Sequence, residues 1–336
     1  MIKPESVLTP RPEGLYCPPG DFHIDPVRPV ERAVITHGHA HHARAGHGVV
    51  VATPETLAIM QARYGDGFCR RAEPVAYGEA VSRDGVEVTL RPAGHVLGSA
   101  QVVVGAKGLT MVVSGDYKRR RDPTCAPFEP VPCDVFITEA TFALPVFRLP
   151  PDGEEIATLL RSVQEFPERC HIVGAYALGK AQRIIRLLRE AGWDRTIHIH
   201  GALARLSELY QSLRVDLGPL APATDDRGPD MAGAIVIAPP SALQDRWSRR
   251  FPDPVTAFAS GWMRVRARAR QRAVELPLVI SDHADWDELT STIAEIRPEQ
   301  LWITHGREEA LARWAELNGL KARALALVGY EEEEGE

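Results

Sequence analysis

The chain has 336 residues, of which 44% are hydrophobic and 25% are charged, and its formal net charge is −6; these values are ordinary for a globular protein of one large domain or two intergrown ones. No run is long enough to span a membrane, the N-terminus has no apolar signal region, and the five cysteines form no CxxC pair, which argues against a membrane protein, a secreted protein and a disulfide framework. We therefore expect a cytoplasmic protein with no membrane partner, and the net charge does not exclude nucleic acid because the local field at a site decides binding.

The first third of the chain alternates short apolar runs with glycine and proline. Residues 32–38 (RAVITHG) predict a buried strand that ends in a loop, and residues 54–64 predict a helix that begins at Pro54. The other elements predicted here are strands, within 87–105 (two strands around a turn), 109–118 and 133–142. Apolar strands that end in polar loops place functional side chains along one edge of a sheet.

The middle of the chain has a different pattern. Helical periodicity in 154–166 and 180–192 alternates with strand-like runs at 171–176, 196–201 and 234–240, which is typical of a small α/β unit. The last part then returns to the earlier pattern, with a strand, a polar turn and a helix in 276–296 and a further strand in 301–306. The order predicts one α/β domain with a smaller α/β domain inserted into it.

A histidine-rich loop is the strongest chemical signal. His37, His39, His41 and His42 lie within six residues directly after a predicted strand. Imidazole is the commonest side-chain ligand of zinc-like metals, so the loop predicts a metal site. The alternative is a chance histidine-rich patch that binds metal only weakly.

Three further candidates each follow an apolar run in a turn that contains glycine: His95, Asp116 and His305. Any one of them alone would more often be a structural polar residue. Together they recur where a sheet edge would bring them to one place. Several imidazoles and one bridging carboxylate suit two metal ions a few ångströms apart.

This pattern resembles the metallo-β-lactamase superfamily, whose loop motif HxHxDH is followed by a lone His, a bridging Asp and a final His. The segment before SDHADW resembles the β-CASP domain of nucleic-acid-processing members such as Artemis. More narrowly, the runs SGDYKRRRDPTCAPFEPVPCDVFITEATFALPVFR, GAYALGKAQR, FASGWMRVRARARQR and LPLVISDHADWDEL resemble the bacterial ligase-associated DNA exonucleases, over nearly the whole chain.

The resemblance implies an α/β fold, namely a metallo-β-lactamase αββα sandwich with an inserted β-CASP α/β domain. The implied boundaries place the metallo-β-lactamase domain in residues 1–148 and 273–330 and the β-CASP domain in 149–272. The remaining residues, 331–336 (EEEEGE), form an acidic tail that we expect to be disordered.

The resemblance also implies roles for single residues. His37, His39 and His95 would hold the first metal, His42 and His305 would help to hold the second, and Asp116 would bridge them. Asp25 would orient the metal-binding loop from behind. Glu139 would match the acidic β-CASP residue, and it would hold His283, the histidine that would protonate the leaving oxygen.

One position departs from the family motif. The motif has an aspartate where this chain has His41, and that aspartate ligates the second metal and takes part in activating water. A histidine is still able to ligate a metal, but it carries no negative charge. Three interpretations stay open: altered metal preference, an impaired enzyme, or an engineered substitution.

Two segments are candidates for contact with a phosphate backbone. In GAYALGKAQR, residues Gly174, Tyr176, Gly179 and Lys180 precede a helix whose N-terminus would attract phosphate, although an ordinary capped helix fits equally well. Alternate arginines in 264–272 would share one face of a strand and track a nucleic-acid strand; these are Arg264, Arg266, Arg268, Arg270 and Arg272. The alternatives are a solvated edge strand, or a helix in which the stripe disappears.

A shorter basic run begins at Lys118 and ends at Arg121, directly after Asp116. It would meet phosphates near the metals, although charge runs are more often simply solvated.

The sequence as a whole predicts a two-metal DNA exonuclease of the β-CASP group, with zinc as the default metal and manganese as a possibility. The resemblance implies a setting in DNA repair, beside a DNA ligase and a helicase. One rival is an RNA-processing nuclease, because the last motif residue, His305, is histidine in the RNA enzymes of the family. Others are a catalytically impaired scaffold that binds nucleic acid and, more distantly, a small-molecule hydrolase.

Overall fold

The computed structural model describes residues 3–223 and 231–327. The predicted disordered tail at 331–336 lies outside the described residues. Over the described ranges, every helix is too short or too polar to span a bilayer. The chain divides into two compact units: the first contains the residues up to Phe147 and those from His283 onward, and the second is Arg148–Asp282.

The N-terminal part of the first unit is mostly strand. Among residues 3–147 its single α-helix is α1 (Pro54–Tyr64). This helix follows the fifth strand and begins where Thr53 accepts a hydrogen bond from the Thr56 N–H, with proline at the first helical position. The strands are β1 (Thr9–Arg11), β2 (Gly14–Cys17), β3 (Phe22–Ile24), β4 (Arg32–Val34), β5 (His47–Ala52), β6 (Cys69–Pro74), β7 (Ala80–Arg83), β8 (Val86–Pro92), β9 (Ala100–Ala106), β10 (Leu109–Val113) and β11 (Val135–Ala140).

The second unit alternates strands and helices. In chain order it contains α2 (Asp152–Glu165), β12 (His171–Gly174), α3 (Lys180–Glu190), β13 (Ile197–Ile199), α4 (Gly201–Ser212), β14 (Leu220–Pro222), β15 (Ile235–Ala238), β16 (Val255–Ala259), α5 (Arg266–Arg272) and β17 (Leu276–Leu278). Its sheet has the order β14-β13-β15-β12-β16-β17, and every neighbouring pair is parallel. The α/β unit predicted for the middle of the chain is confirmed at this level.

The chain then completes the first unit. The remaining elements are α6 (Trp286–Ile296), β18 (Gln300–Gly306), α7 (Glu308–Leu317) and β19 (Lys321–Ala324). Helix α6 begins with a capping box in which Asp285 and Glu288 each accept the other's backbone N–H. In the first unit one sheet has the order β1 to β6, and the other has the order β19-β18-β11-β10-β9-β8-β7.

The first unit has four layers because both of its sheets are apolar on both faces. One buried cluster joins the inner faces of the two sheets and includes Leu15, Ile24, Val34, Val88, Val104 and Met111. The outer face of the first sheet packs against α1, and the outer face of the second packs against α6 and α7. In β10 and β11, Met111 and Val135 face inward whereas Val112 and Phe136 face outward, as the two-residue period of a strand requires.

The second sheet also determines where polar residues gather. Strands β10, β11 and β18 are parallel neighbours, so their carboxyl ends lie at one edge of the sheet. Asp116 follows the first of these strands, Glu139 lies at the end of the second and His305 at the end of the third. The expectation of polar side chains along one sheet edge is confirmed for these three strands.

Two expectations for the second unit need correction. The unit ends at Asp282 rather than at residue 272, because β17 pairs with β16 in its sheet. The arginine-rich segment is not a strand: a short 3₁₀ turn, Gly261–Arg264, is followed by helix α5. A helical period of 3.6 residues spreads alternate arginines around the axis, so the predicted one-sided stripe is absent.

A buried charge network ties the second unit together and yields the first prediction. The Arg183 side chain is fully buried, and its guanidinium pairs with Asp152 and Asp282. Replacement by methionine would remove this cation from the buried Asp152 and leave Asp282 with Lys180 alone, so Arg183→Met should lower the local free energy of unfolding by about 3–5 kcal/mol. Hydrogen exchange of β12 and β15, followed by mass spectrometry, measures this quantity.

The matched control for this change is Arg161→Met. Arg161 lies on α2 and is exposed, so its loss should change the same free energy by less than about 0.5 kcal/mol. Equal protection of the sheet amides in the two variants would contradict a structural role for the Arg183 network.

Candidate metal centre

The histidine loop of the first unit begins directly after β4. His37 and His42 are buried, and His39 and His41 are partly buried. The loop turns tightly because the N–H groups of His42 and Ala43 both donate to the His39 carbonyl, at 3.1 and 2.8 Å. This turn brings four imidazoles together within a segment of only six residues.

The Asp116 carboxylate lies at the centre of the cluster and is 1% exposed. Three imidazole nitrogens approach its Oδ2 and one approaches its Oδ1. The distances are 3.4 Å from His37 Nε2, 3.4 Å from His42 Nε2, 3.7 Å from His95 Nε2 and, to Oδ1, 3.2 Å from His305 Nε2. His39 joins through its Nδ1, which lies 3.0 Å from His95 Nε2.

These residues fit a metal centre by the chemistry of their unsatisfied atoms. Both Asp116 carboxylate oxygens and the Nε2 atom of His37 are buried and make no hydrogen bond to any residue in the described ranges. A buried carboxylate without hydrogen bonds is costly unless a cation compensates it. Two sets of donors lie within 4.8 Å of one another, one formed by His37, His39, His95 and Asp116 and the other by His37, His41, His42 and Asp116.

The electrostatics of the cluster, without a metal ion, centre on the buried charge of Asp116. Burial, together with the neighbouring His42 charge, holds the pKa of His37 well below its usual value, so His37 is a neutral imidazole able to ligate a metal. Burial also opposes charge on His42, but Asp116 and Asp25 outweigh it and raise the pKa of His42 to about 10. Asp116 is desolvated, yet the surrounding imidazoles hold its pKa well below the usual range. The cluster is thus built around a buried negative charge that attracts cations.

His41, the departure from the family motif, lies inside this cluster. Its donor atom belongs to the second set, and its ring centroid is 4.6 Å from that of His42. Burial and then the His42 charge lower the pKa of His41 to about 3, which leaves its imidazole neutral.

Asp25 is hydrogen-bonded to the histidine loop and to the residue before it, and its role in orienting the loop stays a prediction. Its Oδ2 accepts hydrogen bonds from His42 Nδ1 at 2.7 Å and from Thr36 Oγ1 at 2.6 Å, and its Oδ1 accepts the Thr36 N–H at 2.7 Å. The backbone of Asp25 has a φ of 45°, in the left-handed region that residues other than glycine rarely adopt. Hydrogen bonds of this kind determine which nitrogen of a histidine remains for the metal.

The predicted hydrogen bond between Glu139 and His283 is present. His283 Nδ1 lies 2.9 Å from Glu139 Oε2, and the other carboxylate oxygen accepts the Tyr117 N–H at 2.7 Å. Glu139 is fully buried, whereas His283 is partly exposed. Donor atoms of Asp116, Glu139 and His283 lie within 4.8 Å of one another, so this pair adjoins the cluster.

Sequence reasoning missed the residues that support the ligands. Thr36 Oγ1 lies 3.0 Å from His37 Nδ1, and Thr304 Oγ1 lies 3.2 Å from His305 Nδ1. Arg63, on α1, donates to the Gly38 carbonyl at 2.7 Å within the histidine loop. The string Ile-Thr-His-Gly occurs at both 35–38 and 303–306. This repeat is the sequence signal by which the two threonines could have been found.

The predicted phosphate seat in the second unit is internally satisfied. The Gly179 N–H donates to Gln182 Oε1 at 2.9 Å, and the buried Lys180 ammonium lies 3.4 Å from Asp282 Oδ2 and 4.7 Å from the centre of the Tyr176 ring. A Cβ on Gly174 would lie 2.6 Å from Leu243 Cδ1, so that glycine permits close packing. These contacts favour the alternative of a capped helix.

The other basic segments are also partly engaged. Lys118 is 2% exposed, Arg119 pairs with Glu295 at 2.8 Å and Arg120 with Asp285 at 2.5 Å. The burial of Lys118 does not favour the prediction that this run faces phosphate.

The arginines of 264–272 differ among themselves. Arg268 stacks 4.1 Å from the centre of the Trp262 ring, whereas Arg264, Arg266 and Arg270 are exposed.

Comparison with known proteins shows a likeness to metallo-hydrolases. A family model described as the Zn-dependent metallo-hydrolase RNA specificity domain matches residues 277–324. A solved protein of unknown function from Enterococcus faecalis V583 has the same fold, with a TM-score of 0.58 at 16% identity over 90% of this chain and 80% of that one.

Three curated relatives extend the comparison. A protein named Probable DNA ligase from Opitutus terrae is 28% identical over 93% of this chain, and cleavage and polyadenylation specificity factor subunit 3 from Dictyostelium discoideum is 26% identical over 74% of it. Endoribonuclease ysh1 from Aspergillus fumigatus is 32% identical over 35% of it. This chain spans only 30%, 38% and 14% of the length of these relatives, respectively.

The position of Asp25 yields a prediction about metal affinity. Asp25→Asn removes the negative charge behind His42 and one of the oxygens that accept from Thr36, so the loop should hold its imidazoles less well. Affinity for zinc should fall about 10–100-fold, the usual effect of losing such a partner. Calorimetric titration of the metal-free protein with zinc measures the change.

Asp21→Asn is the matched control for this prediction. Asp21 also has a positive φ, of 49, but its side chain is 65% exposed and contacts Arg32. Its zinc affinity should equal that of the unsubstituted protein, and an unchanged affinity in Asp25→Asn would show that Asp25 does not support the site.

Proposed function

We propose that this chain, which belongs to the metallo-β-lactamase/β-CASP nuclease family, is a two-metal DNA exonuclease. The observation that carries this proposal is the buried carboxylate of Asp116 among imidazoles, with the hydrogen-bonded pair of Glu139 and His283 beside it. Two metals and a separate proton donor form one arrangement that is able to hydrolyse a phosphodiester bond.

The architecture supports the proposal at the level of domains. In this interpretation the four-layered first unit is the metallo-β-lactamase αββα domain, and the parallel α/β unit Arg148–Asp282 is the inserted β-CASP domain. The family model that matches residues 277–324 agrees with this interpretation, because it describes metallo-hydrolases that act on nucleic acid.

The residues of the cluster would hold two divalent cations. His37, His39 and His95 would bind one, His41, His42 and His305 would bind the other, and Asp116 would be shared between them. When bound, such ions polarise a phosphoryl oxygen and lower the pKa of water. The buried protein dipoles and the Asp25 carboxylate keep the imidazoles in place while charge develops on the phosphate.

His283 would supply the proton that the leaving oxygen needs. Its Nδ1 lies 2.9 Å from Glu139 Oε2, and in this proposal its Nε2 faces the substrate. As the bond between phosphorus and the leaving oxygen breaks, the Nε2 proton passes to that oxygen, and the imidazole regains a proton from solvent. The buried Glu139 is held by the Tyr117 N–H, so it maintains the orientation of the ring.

DNA is the preferred substrate in this proposal because the relative named Probable DNA ligase aligns over 93% of the chain. The name of that relative supports an association with a DNA ligase. A setting in DNA repair and an association with a helicase are part of the proposal and come from the sequence resemblance alone. The exposed Arg264, Arg266 and Arg270 would contact the strand backbone, since the described residues include no ion-pair partner for these three side chains.

RNA is the second candidate substrate, and two observations favour it. The matching family model is described as an RNA specificity domain, and the relative from Aspergillus fumigatus is named an endoribonuclease. The range that the family model matches includes His305, whose Nε2 lies 3.2 Å from Asp116 Oδ1 in the candidate metal centre.

Cleavage of matched strands would separate these substrates. End-labelled single strands of one sequence, as DNA and as RNA, are incubated with the protein and zinc or manganese. We expect DNA to be degraded from an end, at least about tenfold faster than RNA, whose 2′-hydroxyl groups distinguish the two. Asp116→Asn, which removes the shared charge, should abolish cleavage of both.

Other outcomes of the strand experiment would change the proposal. Faster cleavage of RNA would replace the DNA assignment with the RNA one. If the protein binds the strands but cleaves neither of them in the presence of zinc or manganese, it would be a catalytically impaired protein that binds nucleic acid.

The proton-donor role of His283 makes a separate prediction. His283→Ala and Glu139→Gln should each slow DNA cleavage, by about 10²–10⁴-fold for the histidine, because the leaving alkoxide is no longer protonated. Hydrolysis of bis(p-nitrophenyl) phosphate should be much less affected, since p-nitrophenolate leaves without a proton. Initial rates with both substrates measure the difference.

The zinc content of His283→Ala and of Glu139→Gln is measured as a control, because neither substitution should reduce it. His198→Gln, which changes a partly buried histidine of β13, should leave both rates unchanged. Equal losses on the two substrates would exclude His283 as the proton donor.

A further inference from the structure

The most informative departure from the family pattern is the imidazole at His41. Its neighbours show that the side chain is not merely a surface histidine. Its ring is stacked with that of His39, with centroids 5.9 Å apart and planes at 11°, and its donor atom lies within 4.8 Å of those of His37, His42 and Asp116. The loop hydrogen bonds to the His39 carbonyl hold this turn in place.

The other carboxylates near the cluster are already engaged. Asp25 accepts hydrogen bonds from Thr36 and His42, and Glu139 accepts them from Tyr117 and His283. Asp116 is the carboxylate whose two oxygens make no hydrogen bond to the described part of the chain. The donors aimed at a metal are therefore one carboxylate and a set of imidazoles.

We infer that His41 is a metal ligand, and that its imidazole makes the second metal position as nitrogen-rich as the first, so that the protein selects zinc over manganese. This inference rests on the two-metal function proposed above. Each position then draws on imidazoles and shares Asp116: His41, His42 and His305 on one side, and His37, His39 and His95 on the other.

The selectivity follows from ligand chemistry. Imidazole suits zinc, whereas carboxylate and water oxygens suit manganese, and nitrogen sites bind zinc more strongly than manganese along the divalent series. An aspartate at position 41 would add a second hard oxygen donor and one negative charge. The histidine removes both, so it disfavours manganese at the second position.

The experiment measures metal uptake rather than catalysis. Metal-free protein is dialysed to equilibrium against equal concentrations of zinc and manganese, and bound metal is determined by mass spectrometry. The same measurement is made on His41→Asp, His41→Ala and the control His198→Gln. Circular dichroism of each metal-free variant verifies that the fold is intact.

The inference predicts a different result for each variant. The unsubstituted protein and His198→Gln should bind two ions per chain, almost entirely zinc. His41→Ala should lose affinity for the second ion by at least about tenfold, the lower limit for losing even an outer partner of a metal site. His41→Asp should bind two ions and take up a larger share of manganese.

Two outcomes would overturn the inference. Retention of both ions at unchanged affinity by His41→Ala would show that His41 is not a ligand. Equal manganese shares in the unsubstituted protein and in His41→Asp would show that the imidazole does not determine selectivity. Because uptake is measured without substrate, a protein that binds two zinc ions but cuts no strand would contradict the proposed nuclease function and leave this inference standing.

Discussion

The candidate site depends on one buried carboxylate. Asp116 is 1% exposed, and its oxygens make no hydrogen bond to the described residues, while imidazole nitrogens from three other parts of the chain lie 3.2–3.7 Å away. A lone carboxylate in such a place would destabilise the fold. The same arrangement would be favourable with a bound cation, so the first unit contains a buried charge that suits a metal ion.

The scaffold explains how distant residues reach this carboxylate. Parallel pairing of β10, β11 and β18 brings Asp116, Glu139 and His305 to one edge of the sheet. Two turns at this edge have no room for a Cβ atom and therefore contain glycine. A Cβ on Gly115 would lie 2.8 Å from Thr36 Cβ, and one on Gly306 would lie 2.2 Å from the Ala140 carbonyl oxygen. Both glycines have positive φ, which other residues adopt only with strain.

The tertiary structure determines which basic residues form ion pairs within the protein and which are exposed. Lys180 and Arg183 are buried against Asp282, and Arg119 and Arg120 pair with carboxylates of α6 and its cap. Lys180 and Arg183 are therefore withheld from a polyanion, whereas Arg119 and Arg120 are paired but partly exposed. The exposed arginines near α5 are different, because Arg266 and Arg270 lie one helical turn apart and repel each other by a few tenths of a kcal/mol. A phosphate backbone would relieve that repulsion.

Much of this molecule was predictable from sequence because its signals are local. The helix Pro54–Tyr64 and the strands around Pro92 and Ala100 follow from periodicity and capping, and the histidine loop is visible as a string of letters. The string around Arg264 to Arg272 was misleading, because alternation in sequence does not require a strand when stacking on Trp262 and Phe258 is available to a helix. Only the tertiary structure decided that Lys118 and Lys180 are buried, that Arg63 donates to the histidine loop, and that His41 lies among the candidate ligands. These properties depend on contacts between residues far apart in the chain, and burial and charge compensation exist only after those contacts form.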